Sequence, residues 1–141
     1  MSTVFTTKVT ATGGRNGHVK SEDGVIDFDV RLPKEMGGSG GAYTNPEQLF
    51  AAGYAACFDS SIAFASRMMK VNPTSSVTAA VGLQRSEQAL DLQVELDVQL
   101  DGVDKETAER VIELAYSICP YSRALNKGAE VKINLLVGEA S

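Results

Sequence analysis

Residues 44 to 70, TNPEQLFAAGYAACFDSSIAFASRMMK, restrict the folds open to this chain more than any other stretch. Asn45 is a good helix N-cap, Pro46 suits the first helical position, and Gln48 stands where a capping box takes a glutamine. Leu49, Phe50, Ala51, Ala52, Tyr54, Ala55, Ala56 and Phe58 then leave no polar face for two turns. A helix that is apolar all round is one covered on all sides. The pattern predicts a core helix that contains Cys57 and ends around Val71, Asn72 and Pro73. Glu47, Gln48, Asp59, Ser60 and Ser61 bracket only about 10 apolar residues, where a bilayer needs roughly 20, so the helix is not read as a membrane span.

Gly53 costs a helix interior about 1 kcal/mol relative to alanine and marks a bend or a close approach of other backbone. With a break there, Cys57 falls in the first turn of a second segment, where the helix dipole favours a thiolate. Without one, Cys57 reads as a small hydrophobe in a packed helix.

At 141 residues the chain is long enough for one domain, 1–141, with no room for a second core. Its net charge of -5, with no basic stripe, argues against nucleic acid as a partner. The N-terminus MSTVFTTKVT has no charged segment leading into an apolar one, so the expected compartment is the cytoplasm. There, two cysteines are rarely a structural staple, and they are too few for a zinc site without help. His18 is the single histidine, and no C-x-x-C or H-x-x-x-H spacing occurs. Neither a metal nor a cofactor is expected, and an imidazole-activated hydrolase is disfavoured.

Val4 to Thr12 reads as a strand, GGRNGH as a glycine turn around Arg15, Val19 and Lys20 as a restart in extended form before the turn SEDG, and Val25 to Leu32 as a half-buried strand, giving a three-stranded meander. KEMGGSGGAY is a glycine-rich connection without the Gly-Lys-Ser/Thr of a phosphate loop, and reads as a flexible loop. Val77, Ala79, Val81 and Leu83 alternate as one strand; Leu90 to Leu100 alternate with acids and glutamines as another with one wet face. Asp104 caps a second helix carrying Ala108, Val111, Ile112, Ala115 and Ile118, which stops at Cys119 because Pro120 disfavours helical geometry before it. A turn, PYSRALNKG, and a last strand through Val131, Ile133, Leu135 and Val137 close the chain. The fold class is α+β, mostly antiparallel, in the order βββ-α-ββ-α-β with a buried central helix. One sheet cannot cover such a helix, so a second helix and a second subunit, in a homodimer, are expected to share the task.

Cys57 and Cys119 are 62 residues apart, so only the fold can bring them together. Together they can cycle between dithiol and disulfide; apart they are two unrelated core cysteines.

TNPEQLFAAGYAACF at 44 to 58 and ICPYSRA at 118 to 124 resemble the two signature segments of organic hydroperoxide resistance proteins, within the osmotically inducible protein C (OsmC) superfamily. The turn around Arg15, the GGSGGAYTNPEQ approach and the order of segments are also similar, so the resemblance covers nearly the whole chain. It implies an OsmC/Ohr-like fold in an intertwined homodimer, with Cys57 as peroxidatic and Cys119 as resolving cysteine. It further implies that Arg15 contacts the reactive thiolate and that Glu47 holds Arg15. Arginine suits that task because it stays charged and its fork faces a thiolate and a carboxylate at once. Taken alone, Arg15 reads as a solvated turn residue and Glu47 as a helix-start carboxylate. The implied activity is reduction of alkyl and fatty-acid hydroperoxides to alcohols, with dihydrolipoyl groups on lipoylated proteins restoring the dithiol. The rival readings are a peroxidase of the sister OsmC branch, a carrier of apolar small molecules and a redox sensor without turnover. Ten residues of unbroken helix span about 15 Å, which one arginine serves poorly. A break near Gly53, a site assembled from two subunits, or both, is therefore expected.

Overall fold

The Asn45 side chain caps the long helix, its Oδ1 accepting the Gln48 N–H at 2.8 Å, and α1 spans Pro46–Met68. The structure, a computed structural model, describes residues 2–136 and 138. α1 runs through Gly53 without interruption, so the break expected there is absent. Ala51, Ala52, Ala55 and Ala56 flank the glycine, and their high helix propensity carries the backbone across a single unfavourable residue. Tyr54, Phe58, Ser61, Ile62, Ala65 and Ser66 form the buried stripe of α1, at spacings of three and four. Ala52, Ala56, Ala63, Phe64 and Met68 are exposed in the single chain. The 23 residues of α1 have the length and hydropathy of a membrane span, more than the sequence reading allowed. Its buried stripe, with Asp59 Oδ1 accepting the Ser75 hydroxyl at 2.5 Å, is that of a core helix.

The chain divides into two units, Met1–Gly53 with Ala79–Leu96, and Tyr54–Thr78 with Asp97–Ser141. In the first, β1 (Val9–Thr12), β2 (His18–Ser21) and β3 (Asp27–Asp29) form an antiparallel meander in sequence order. Val9 faces Ser21 and Val19 faces Phe28. β1 is shorter than its composition predicts, with Val4 and Phe5 outside it and exposed. Val30, 1% exposed, bridges to Thr44, and Arg31 N–H donates to the Thr44 carbonyl at 3.1 Å, fixing the approach to α1. The glycine-rich connection folds back on itself through a short 3-10 turn, Lys34–Met36. A Cβ at Gly38 would lie 2.0 Å from the Leu32 carbonyl oxygen, so only glycine permits this return.

β4 (Thr74–Arg85) and β5 (Leu90–Asp101) pair as a hairpin whose turn is closed by Ser86 N–H to the Ala89 carbonyl at 2.8 Å. So short a connection requires antiparallel pairing. The alternation read from the sequence holds over most of the hairpin, with Val77, Ala79, Val81, Leu83, Val94, Leu96, Val98 and Leu100 half-buried and their neighbours facing water, but Leu90 and Leu92 at the start of β5 are exposed.

In the second unit, α2 (Lys105–Ile118) is capped by Asp104, whose carboxylate accepts the Thr107 N–H at 3.2 Å. Val111 and Ala115 are fully buried, as their helical spacing predicts. Cys119 is extended, at φ -66° and ψ 121°, in keeping with the proline that follows. The turn expected after it is instead a helix, α3 (Pro120–Lys127), because a proline that ends one helix is also a favourable first residue for the next. Gly128, at φ 86°, closes α3. The last strand expected from Val131 is not formed over residues 131–136, and Val131, Ile133 and Leu135 are exposed. Alternation sets a side-chain pattern, but a strand exists only where a neighbour takes up its hydrogen bonds, and none of the described strands pairs with this one. Val137 lies outside the described residues. The class is as read, α+β with antiparallel sheets, with three α-helices among the described residues.

Candidate active site

Arg15 sits in a 3-10 turn, Gly14–Asn16, entered through Gly13 at φ 77°. At Gly17 a Cβ would stand 1.7 Å from the Thr12 carbonyl oxygen, which explains the glycine two residues after Arg15. Three hydrogen bonds hold this turn to the segment after β3. Gly17 carbonyl accepts from Val30 N–H at 2.9 Å and from the Arg31 guanidinium at 2.8 Å, and Asn16 Oδ1 accepts from Leu32 N–H at 3.2 Å. Arg31 also lies over the Tyr43 ring, 5.0 Å from its centroid. Held in this way, the Arg15 guanidinium meets the Glu47 carboxylate fork to fork, at 2.5 and 3.2 Å. Glu47 is in the first turn of α1, where the helix dipole favours its charge. The hydrogen bond that Arg15 donates to Glu47 raises the Arg15 pKa above its ordinary value, so the arginine is a permanent cation.

In the other unit, Cys57 on α1 and Cys119 between α2 and α3 are free thiols with sulfurs 3.7 Å apart. Cys57 is half-buried; Cys119 is wholly buried. Pro120 lacks an N–H, and the next two amides of α3, at Tyr121 and Ser122, favour negative charge on the sulfurs. Burial pushes the Cys57 thiol up; the Tyr121 N–H opposes this, and the hydrogen bond and charge of Cys119 add to it. Burial also acts to raise Cys119, but the Ser122 N–H and hydroxyl, the Cys57 thiol and the Tyr121 N–H outweigh it and hold Cys119 below the ordinary thiol value. Within this pair the helix start therefore favours negative charge on Cys119.

The four residues named from the sequence are thus brought together as two pairs, Arg15 with Glu47 and Cys57 with Cys119. Sequence reasoning missed the α3 start and the buried Tyr54, whose hydroxyl lies 2.6 Å from Ser122 Oγ. Pro120 followed eight residues later by Gly128 was the available signal, a proline at the first helical position and a glycine past the last.

The family model described as OsmC-like protein matches residues 38–134. Organic hydroperoxide resistance protein OhrB of Bacillus subtilis is 41% identical over 136 residues, covering 94% of this chain and 98% of its own length. The organic hydroperoxide resistance protein of Xanthomonas axonopodis pv. citri is 38% identical over 134 residues, covering 94% of each chain. Among solved structures, the organic hydroperoxide resistance protein of Elizabethkingia anophelis superposes with a TM-score of 0.85 at 48% identity, covering 89% of this chain and 91% of that one. The signature segments and the fold they sit in agree with these matches, and the chain belongs to the OsmC-like family, among its organic hydroperoxide resistance proteins.

Proposed function

We propose that this protein is a cysteine-based peroxidase for alkyl and fatty-acid hydroperoxides. The observation that carries the reading is the approach of the Cys57 and Cys119 sulfurs to 3.7 Å, one half-buried and the other fully buried. The Cys57 thiolate attacks the distal peroxide oxygen; the O–O bond breaks, the alkoxide takes a proton and leaves as alcohol, and Cys57 becomes a sulfenic acid. The Cys119 sulfur then attacks the Cys57 sulfur, the S–O bond breaks, and hydroxide leaves as water. A dihydrolipoyl dithiol returns two electrons to the disulfide by thiol exchange, becoming a cyclic disulfide itself.

Burial raises the Cys57 pKa, so the cycle needs a fixed cation to favour its thiolate. Arg15, aimed by Glu47, is assigned that role, and its remaining N–H groups are assigned to the negative charge that develops on the peroxide oxygens. With α1 unbroken at Gly53, the assembly carried forward is a homodimer in which one subunit supplies Arg15 and Glu47 and the other supplies the thiols. Apolar side chains exposed in the single chain, Phe64, Met68, Val131, Ile133 and Leu135, support such a partner.

The test is steady-state consumption of tert-butyl hydroperoxide with dihydrolipoamide as reductant. Turnover should vanish in Cys57→Ser. Cys119→Ser should still consume one equivalent and form sulfenic acid, but no intramolecular disulfide. An unaltered protein that consumes no hydroperoxide and keeps both thiols would move the reading to a carrier of apolar molecules.

A further inference from the structure

We propose that Tyr54 and Ser122 form a hydrogen-bonded chain that serves the second half of the cycle, holding the Cys119 sulfur ready to attack oxidised Cys57. The proposal rests on the peroxidase reading and adds two residues that the reading leaves unused.

Tyr54 is 4% exposed, Ser122 2% and Cys119 not at all, so none of the three polar groups has water as a ready partner. Tyr54 Oη and Ser122 Oγ are 2.6 Å apart. Ser122 is the third residue of α3 and Cys119 is its N-cap, which turns the serine back toward the sulfur. From that position the Ser122 hydroxyl favours the Cys119 thiolate, and we assign its proton to the sulfur. A serine hydroxyl has one proton to give. When that proton goes to the Cys119 thiolate, the proton between Ser122 and Tyr54 must come from the tyrosine. Burial raises the Tyr54 pKa, which keeps that proton in place. The order of donation is then Tyr54 to Ser122 to Cys119, each bond polarising the next.

The groups that face Cys119 are Cys57 from α1 and the Tyr121 and Ser122 amides and Ser122 hydroxyl from α3; Tyr54 acts through Ser122, and Tyr116 of α2 lies near Tyr54. A tyrosine placed only to fill space would need no such chain ending on sulfur. During resolution the Cys119 thiolate attacks the sulfur of the Cys57 sulfenic acid. The S–S bond forms, the S–O bond breaks, and the departing hydroxide takes up the proton that Cys119 lost. With its proton assigned to the attacking sulfur, Ser122 is a catalytic residue of this step, and Tyr54 a positioning residue behind it.

Two readouts on the full chain test this. In a Cys57→Ala background, without peroxide, the ultraviolet absorbance of the Cys119 thiolate is followed against pH. Adding Ser122→Ala should leave about tenfold less thiolate at a given pH, a shift of about one pH unit, with a smaller shift in the same direction for Tyr54→Phe. Ser122→Thr, which keeps the hydroxyl, should restore the curve. With both cysteines present, a single turnover of tert-butyl hydroperoxide should then show dimedone-trapped sulfenic acid building up in Ser122→Ala and Tyr54→Phe. Disulfide closure should slow about tenfold at neutral pH and recover as pH rises. Tyr54→Phe retains the ring and its contacts with Phe58 and Tyr121, so it should fold. Unshifted Cys119 titration in folded Ser122→Ala would overturn the proposal, as would unchanged disulfide closure in both variants. A parent protein that forms no sulfenic acid would instead overturn the peroxidase reading, while the titration still decides whether Ser122 governs Cys119.

Discussion

Arg15 and Glu47 are held by hydrogen bonds around a glycine turn, whereas Cys57 and Cys119 are held by packing along α1 and where α2 meets α3. The first pair is partly open, with the Arg15 side chain 36% and the Glu47 side chain 16% exposed. The second pair lies among Tyr54, Phe58, Val111 and Ala115, all 4% exposed or less. Packing fixes a sulfur to within a fraction of a rotamer, but burial makes the thiolate less favourable. A guanidinium near water keeps its charge at little cost, but it needs a carboxylate and a shaped turn to give it direction. The contrast teaches that this chain keeps one place built for position and another built for charge.

Separating charge from nucleophile offers the largest effect with which to break this comparison. Arg15→Ala should lower the rate of Cys57 oxidation by about a hundredfold, the usual cost of losing one donor to developing charge, while both thiols remain. Mixing and re-forming dimers of Arg15→Ala with Cys57→Ser should recover activity, because one of the two sites in each mixed dimer regains all its residues. No recovery after verified exchange would place the four residues in one subunit. Glu47→Gln, which keeps the size of the side chain but removes its charge, should have a smaller effect, about tenfold, measured as kcat/KM for a fatty-acid hydroperoxide.

Smaller effects sharpen the difference. Asn45→Ala removes the cap that starts the helix carrying Glu47 and should cost about 1 kcal/mol in denaturant unfolding. It should also lower the peroxidase rate only where Arg15 is present. The smallest change is expected at His18, beside the arginine turn. Its ring lies between Asp29, at 2.8 Å, and Asp27, and hydrogen bonds to these two carboxylates raise its pKa. The contribution of the raised pKa is complete below the ordinary value of about 6.5 and is lost as pH rises through the folded-state value. Asp29, depressed first by its bond to His18, extends the favourable window down until pH falls through its own lowered value. A His18→Gln variant should therefore differ from the parent in thermal midpoint at mildly acidic pH, and the difference should fade as pH rises and the imidazole loses its proton.

The α1 start, the β4–β5 alternation and the α2 cap were legible because each is a local matter, settled by Asn45, by period two from Leu90 to Leu100 and by Asp104. The pairings were legible only through resemblance, since nothing in the spacing of Arg15 and Glu47 or of Cys57 and Cys119 encodes a contact. Gly53 misled because propensity is a weak prior, and four neighbouring alanines outweighed it. Pro120 was read for what it ends and not for what it begins, which hid α3 and, with it, the amides of Tyr121 and Ser122. Val131 to Leu135 has the pattern of a strand without a neighbour within the described chain, and no sequence pattern can supply one.

The arrangement of the two sulfurs bears on survival under excess substrate. A sulfenic acid that lingers meets a second peroxide and passes irreversibly to sulfinic acid. The Cys119 sulfur stands 3.7 Å from that of Cys57 at the junction of two helices, and a disulfide at about 2.0 Å requires only about 1.7 Å of approach. Closure can then proceed by side-chain motion, on a timescale far shorter than local unfolding. The protein should outlast high hydroperoxide doses while Cys119 is present, and become an enzyme that destroys itself by overoxidation when Cys119 is removed.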